Sequence, residues 1–307
     1  MFEKISERRT KSWIIGISTL VLLVGIVGYL VEGGRNLALP PVMRISTDPG
    51  SKGQHLEVPL LHYTKGSLFK DQISLDFVGA VHLGEKEYYG DLNRRFAAYD
   101  AVLFELVSDG TNLPEMGAEG RDSILGTVQR AFSNLLGLSF QLDEVNYRAR
   151  NFVHADLSPD ELRDAMAMRG ESLPQLLMKI IKLSTDPEIR RSLEAHGYKE
   201  GSLDGINPLL ILLRGPTQED RVKIRRFMAQ GLVGSDAVMK VLEGDKGLSL
   251  ITDRNSEVMA VLNRETALGK RRIAIFYGVG HLPDLHKRLT EQGYRLTKVE
   301  WLTAWNM

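Results

Sequence analysis

The sequence predicts an α/β fold with α+β character. A central mixed sheet is expected from two related strand–helix–strand halves, with a large helical insertion between them and one transmembrane helix in front. Three observations carry this. A short unit occurs twice, at residues 73–82 and 272–281, each an apolar run rich in β-branched and aromatic residues that ends in Gly-x-x-His (Gly79 to His82, Gly278 to His281). Between the copies, from about 111 to 270, apolar residues recur at helical spacing between turn signals. Residues 13–31 carry no charged side chain.

Taken in order, residues 1–12 hold Lys4, Arg8, Arg9 and Lys11, which the positive-inside rule keeps in the cytoplasm. As a helix, residues 13–31 would span about 28 Å at about 1.5 Å per residue, close to the hydrocarbon thickness of about 30 Å. A membrane anchor is expected, with the main domain on the exoplasmic or periplasmic side. A cleaved signal peptide is the alternative, but its apolar core is shorter and ends in an Ala-x-Ala-like site. Here the run leads into Glu32-Gly33-Gly34-Arg35. Residues 32–54, with Pro40-Pro41 and Asp48-Pro49-Gly50, read as a linker. The domain proper is then 55–307.

Within it, residues 55–63 form an early strand and 73–81 the first firm one. Tyr89, Leu92, Phe96 and Tyr99 recur at helical spacing, and 101–107 closes the first unit as a strand. In the insertion, 111–270, Ser158-Pro159-Asp160-Glu161 is a capping box with Pro at the first helical position, leading into Leu162, Ala165 and Met166. Residues 173–183 read as an apolar helix, Asp186-Pro187-Glu188 as a helix start, and Thr217-Gln218-Glu219-Asp220 as another, with Val222, Ile224, Phe227 and Met228 facing inward. Residues 248–268 read as one long helix. Leu282, Leu285 and Leu289 mark the helix of the second unit, and 295–301 its closing strand. An insertion this long is no plain connection. It is expected to cap the carboxyl ends of the strands, where open α/β sheets place ligands.

With 43% hydrophobic residues in 307, the chain can bury a sizeable core. Its 39 basic and 39 acidic residues give zero net charge, so no long-range field steers nucleic acid toward it. The absence of cysteine excludes disulfides, thiolate metal sites and a Cys nucleophile. Any metal must be held by His, Asp, Glu or carbonyl oxygen.

His82 and His281 are the first candidates for chemistry. In each Gly-x-x-His the Gly permits a tight turn that sets the imidazole at the sheet's carboxyl edge, beside the next helix's amino end. Neutral imidazole ligates metal or accepts a proton. Glu105 lies in an apolar strand, where a carboxylate must be paired, protonated or metal-bound. If that strand flanks the first one, Glu105 emerges beside His82. Glu300 holds the corresponding place in the second unit and reads as a solvent-facing residue. Arg254, in Asp253-Arg254-Asn255, either points into the cleft to bind an anion or pairs on the helix surface with Asp253 or Glu257. His154, near Asp156, could line the same cavity but reads as structural; His196 falls at a helix end where a cation suits the dipole, His286 lies on a different face from His281, and His55 and His62 precede the core.

At these residues the sequence resembles the TraB/PrgY/GumN family, which groups with the TIKI metalloproteases and, more distantly, with erythromycin esterase-like and ChaN-like proteins. The resemblance rests on Gly79 to His82, Gly278 to His281, Glu105 within Leu103-Phe104-Glu105, and Arg254-Asn255 followed by Met259. It covers residues 73 to about 300. Two departures stand out: Ala80 where Thr is frequent, and Asp284 where Gly is common. The resemblance implies a polar site built by the two His, the Glu and the Arg. For TIKI-like members it also implies a divalent ion, manganese or cobalt with zinc as a further option, and peptide-bond hydrolysis.

The function expected is a membrane-anchored, metal-dependent hydrolase acting on a peptide or small molecule. His82, Glu105 and His281 would hold the ion, and Arg254 would stabilise an oxyanion or bind a substrate carboxylate. The alternatives are a metal-free esterase-like hydrolase with a His general base, and a non-catalytic membrane protein that binds a peptide or signal.

Overall fold

The strands are long where β-branched and aromatic residues alternate, and they meet in one mixed seven-stranded sheet. The computed structural model describes residues 37–307 except 51–52, 68–69, 112, 118–131, most of 173–205, and 235–247. The anchor expected at 13–31 lies outside these residues, as does most of the apolar helix expected at 173–183; of the helix start at 186–188, Pro187 is helical and residue 188 lies outside. No helix among the described residues is long and apolar enough to cross a membrane.

The strands are β1 (Arg44–Thr47), β2 (Gln54–Ser67), β3 (Lys70–Ala80), β4 (Leu83–Gly84), β5 (Ala101–Phe104), β6 (Ser139–Phe140), β7 (Phe152–His154), β8 (Arg272–Gly278) and β9 (Arg295–Asn306). The helices whose bounds lie within the described residues are α1 (Lys86–Phe96), α2 (Gln141–Glu144), α3 (Pro159–Met168), α4 (Pro208–Arg214), α5 (Gln218–Val233), α6 (Thr252–Ala267) and α7 (Leu282–Glu291). The sheet runs β1-β2-β3-β8-β5-β7, with β9 on the other side of β2. β3, β8, β5 and β7 are mutually parallel, whereas β2 is antiparallel to β1, β3 and β9. β4 and β6 form a separate two-stranded ladder.

The order corrects the expected symmetry of the halves. β5 does not flank β3. β8 inserts between them, pairing Gly79 with Tyr277 on one side and Phe104 with Phe276 on the other. β9, the closing strand of the second unit, lies against β2 instead of β8. The first unit therefore closes around the second, and this decides which residues meet at the carboxyl edge.

The parallel strands are buried on both faces, as their continuous apolar runs require: residues 101–104 and 273–277 are wholly buried. Phe276 stacks against Phe96 of α1, with ring centroids 4.9 Å apart. Leu282, Leu285 and Leu289 put one face of α7 into the core. Each such side chain contributes about 1.5–3 kcal/mol of burial. The capping box expected at Ser158 forms, and a second one closes the helix start at Thr217. Ser158 accepts from Glu161 N while Glu161 accepts from Ser158 N, and Thr217 and Asp220 do the same at α5.

Other expectations shift. The linker 32–54 contains β1, which pairs with the start of β2. The strand at 101–107 stops at Phe104, the last helix starts at Thr252, and β2 and β9 run further than the hydrophobic runs alone indicated. On α5 the buried residues are Asp220, Ile224, Arg225 and Ala229, with Val222, Phe227 and Met228 half-buried. Two polar side chains occupy the inward face because each has partners there.

Candidate active site

Four parallel strands end side by side, and the residues just past their ends form a row. In sheet order they are His82 after β3, His281 after β8, Glu105 after β5 and Asp156 after β7. Arg254, in the first turn of α6, crosses this row. Its Nε and Nη2 donate to the two oxygens of Asp156 at 2.8 and 2.5 Å, the forked pairing that a planar guanidinium favours. Nη2 also donates to Glu105 Oε1 at 2.7 Å. The Asp156 side chain is fully buried, and Tyr277 donates its hydroxyl to Ala155 O just before it. Arg254 is thus committed to two carboxylates. It is neither a surface charge nor a free anion clamp, and burial, which would lower its pKa, is outweighed by Asp156 and Glu105, which raise it.

Glu105 is held from its other side by the Gly278 amide, which donates to Oε2 at 2.6 Å. A Cβ on residue 278 would lie 3.1 Å from that oxygen, so the carboxylate occupies the space a side chain would take. This is the physical reason for Gly in the second Gly-x-x-His. Burial alone would raise the Glu105 carboxyl; the His281 ring, the Arg254 charge and the Gly278 amide outweigh it and hold it well below the usual carboxylate range.

His281 ends a 3-10 turn, Val279–His281, and caps α7. Its ring is buried. Nδ1 lies 2.7 Å from Asn255 Oδ1. The Asn255 amide nitrogen donates to Asp284 Oδ2 at 2.8 Å and to His281 O at 3.3 Å, so its oxygen is the atom facing the ring. Asn255 Oδ1 therefore accepts a hydrogen bond from Nδ1–H, and in the neutral ring Nε2 carries the lone pair. That nitrogen lies 3.6 Å from Glu105 Oε1. In the neutral ring two acceptors face each other across a gap too wide for a hydrogen bond; protonated at Nε2 as well, the ring is the cation that depresses Glu105.

The two histidines of the repeated motif are not equivalent. His82 is exposed and makes no side-chain hydrogen bond or ion pair with the described residues, although it stands at the same edge. The chain after β3 does not turn straight into a helix. Tyr89 donates to Val81 O at 2.8 Å, Gln141 N to His82 O at 3.0 Å, and Trp305 to Leu83 O at 2.7 Å, drawing the segment into the β4–β6 ladder. α1 begins only at Lys86, so His82 does not sit at a helix amino end as expected. The structure brings Glu105, Arg254 and His281 together and leaves His82 beside them but unjoined.

Among the described residues no three His, Asp or Glu side chains are placed to hold one ion. Two donors are: His281 Nε2 and Glu105 Oε1. Ligands about 2.0–2.1 Å from one ion, at a roughly tetrahedral or slightly wider angle, stand about 3.4–3.6 Å apart. The observed 3.6 Å fits that spacing. Charge agrees: Asp156 and Glu105 carry two negative charges against the one of Arg254, leaving the side facing His281 suited to a proton or a cation.

The remaining candidates are structural. Glu300 pairs with Arg95 at 2.7 Å and lies 3.7 Å from His62, so it is not the twin of Glu105. His154 Nε2 contacts Leu106 O at 2.7 Å. His286 bonds the Tyr63 hydroxyl, His62 pairs with Asp76, and His55 with Asp48. His196 lies outside the described residues. The reading from sequence missed Asp156 as Arg254's main partner. Its signal was present: Phe152-Val153-His154 is a short apolar-leaning stretch followed by an acidic residue, but three residues are too few to announce a strand. No family model, curated protein or solved structure matches the chain.

Proposed function

We propose that this chain is a membrane-anchored, metal-dependent hydrolase of the TraB/GumN/TIKI type, acting on a peptide or small-molecule substrate. One observation carries the reading: a buried His281 with its Nδ1 proton fixed by Asn255 turns Nε2 toward an ionised Glu105, 3.6 Å away, at the carboxyl edge of parallel strands. His281 and Glu105 would hold a divalent ion, manganese, cobalt or zinc, with His82 on the adjoining strand end as the third candidate ligand. Such an ion supplies an activated water and polarises the bond to be cleaved. Asn255 sets the imidazole tautomer and Asp284 orients Asn255. Arg254 keeps Glu105 ionised and in place, a positioning role rather than the oxyanion contact expected from the sequence.

A second reading has its own support. Arg254 already donates to the Glu105 oxygen that faces His281, at 2.7 Å, so the carboxylate's charge is offset without an ion and Nε2 is left with its lone pair. His281 Nε2 would then be the general base of a metal-free hydrolase. Titration calorimetry with manganese and zinc separates the two. The metal reading expects one ion per chain, lost in His281→Ala and Glu105→Gln; no ion uptake would leave the metal-free reading.

The anchor belongs to the same proposal. Leu37 N donates to Leu296 O at 3.0 Å, at the amino end of β9. β9 and β3 are both antiparallel to β2, so this is the sheet edge opposite the row of site residues.

A further inference from the structure

A cavity lies beside the C-terminal end of β9, and none of Glu105, Arg254 or His281 lines it. The cavity measures about 470 Å³, within the usual range of small-molecule sites. Its polar walls are Gln218, Arg221 and Arg225 of α5, His55 of β2, Glu85 and Asn306.

These groups are not equally committed. Arg225 is almost fully buried and donates to Leu136 O at 2.6 Å and to Gly137 O, Asn306 O and Glu85 Oε1 at 2.8 Å each. It has little left for a ligand, and it neutralises the one carboxylate side chain in the wall. His55 pairs with Asp48 at 3.1 Å and with Asn306 Oδ1 at 3.0 Å. The hydrogen bond to Asp48 raises its pKa, so the ring carries more positive charge near neutral pH.

Arg221, one turn before Arg225, is different. Among the described residues it donates only to Asn134 O, at 3.1 Å, and no carboxylate lies within ion-pair distance. Its Nε is buried without a partner. The side chain is nonetheless fixed: it lies against Gly137, where a Cβ would come within 3.1–3.3 Å of its Cδ, Nη1 and Cζ. Gly137 has φ +62°, so Gly suits both the backbone and the contact. A guanidinium held in place on a cavity wall, without a counter-charge among the described residues, is arranged to receive one.

We propose that this cavity binds a small ligand bearing an oxyanion, a carboxylate or a phosphate, through Arg221. Either group offers paired oxygens to the guanidinium fork. The site is independent of the hydrolytic reading and is tested by binding alone. Full-length protein is titrated calorimetrically with inorganic phosphate and, separately, with succinate. The expected result is saturable binding of at least one probe at one site per chain, the tighter probe identifying the oxyanion. Arg221→Gln should weaken it at least tenfold. Val222→Glu, which places a carboxylate in the same wall and leaves Arg221 intact, should do the same. Lys223→Gln, on the same helix but paired with Glu219 and not lining the cavity, should change nothing. Failure of both probes to bind saturably, or unchanged affinity in Val222→Glu, overturns the proposal.

Discussion

Arg254 balances two carboxylates with one positive charge, and this sets the character of the site. Asp156 is fully buried and takes the guanidinium on two oxygens, while Glu105 shares what remains. Replacing Arg254 with Met keeps most of the volume but takes the guanidinium from both carboxylates, leaving Glu105 only the Gly278 amide and the His281 ring. The loss of an ion-pair partner in such a position costs about 3–5 kcal/mol. Urea unfolding of Arg254→Met should show a loss of that size. The companion Asp156→Asn, which keeps a hydrogen-bond acceptor, should lose less. The roles at this scale were only partly legible in the residues. Glu105 stood out because a carboxylate within an apolar run demands a partner. The partner did not stand out, since Arg254 among Asp253 and Glu257 reads as an ordinary helix-surface charge until Asp156 is seen beside it.

Among the elements, close approach explains both motif glycines, in different ways. Gly278 makes room for a carboxylate. Gly79 makes room for the neighbouring turn, since a Cβ there would lie 2.8 Å from Val279 Cγ1 and 3.0 Å from Pro59 O. Backbone on one side and a packed β-branched side chain on the other leave little freedom to yield. Gly79→Ala should destabilise the protein by roughly 1–3 kcal/mol, the usual cost of overpacking, as read from the thermal or urea midpoint. The strands and helices themselves were legible: alternation and β-branching marked β3 and β8, and Leu282, Leu285 and Leu289 marked α7. Their pairing was not. Periodicity says that 101–104 is a buried strand, but it does not say that β8 enters between it and β3. That one exchange moves Glu105 from the side of His82 to the side of His281. The length of β9 was likewise hidden, because Lys298 and Glu300 break the apolar pattern on a strand whose edge is partly open.

For the molecule as a whole, ion pairs that pin α6 should shape the response to acid. Burial would raise the Glu265 carboxyl, but Lys270 at 2.6 Å and Arg264 at 3.1 Å outweigh it and hold it below the ordinary value. The forked contact from Arg169, which ties the end of α3 to the start of α6, lowers Asp253 in the same way. Their folded-state values therefore lie below the unfolded ones, about 4.3 for Glu and 3.9 for Asp. The stability they contribute is complete above those unfolded values and is lost as pH falls through the lower folded ones. Urea unfolding at a series of pH values should show stability falling below about pH 4, with a shallower fall in Glu265→Gln. The same scale carries the functional claim, since the site exists only because four strand ends and one helix of the insertion meet at one edge. Hydrolysis of a panel of peptide and ester substrates by the full-length protein tests it most directly. The account predicts turnover that drops about 10²–10⁴-fold in His281→Ala and Glu105→Gln, as expected for loss of a group that handles the attacking water, and that persists in Glu265→Gln. Turnover unchanged in His281→Ala and Glu105→Gln, or no turnover of any substrate by the unaltered chain, would contradict it.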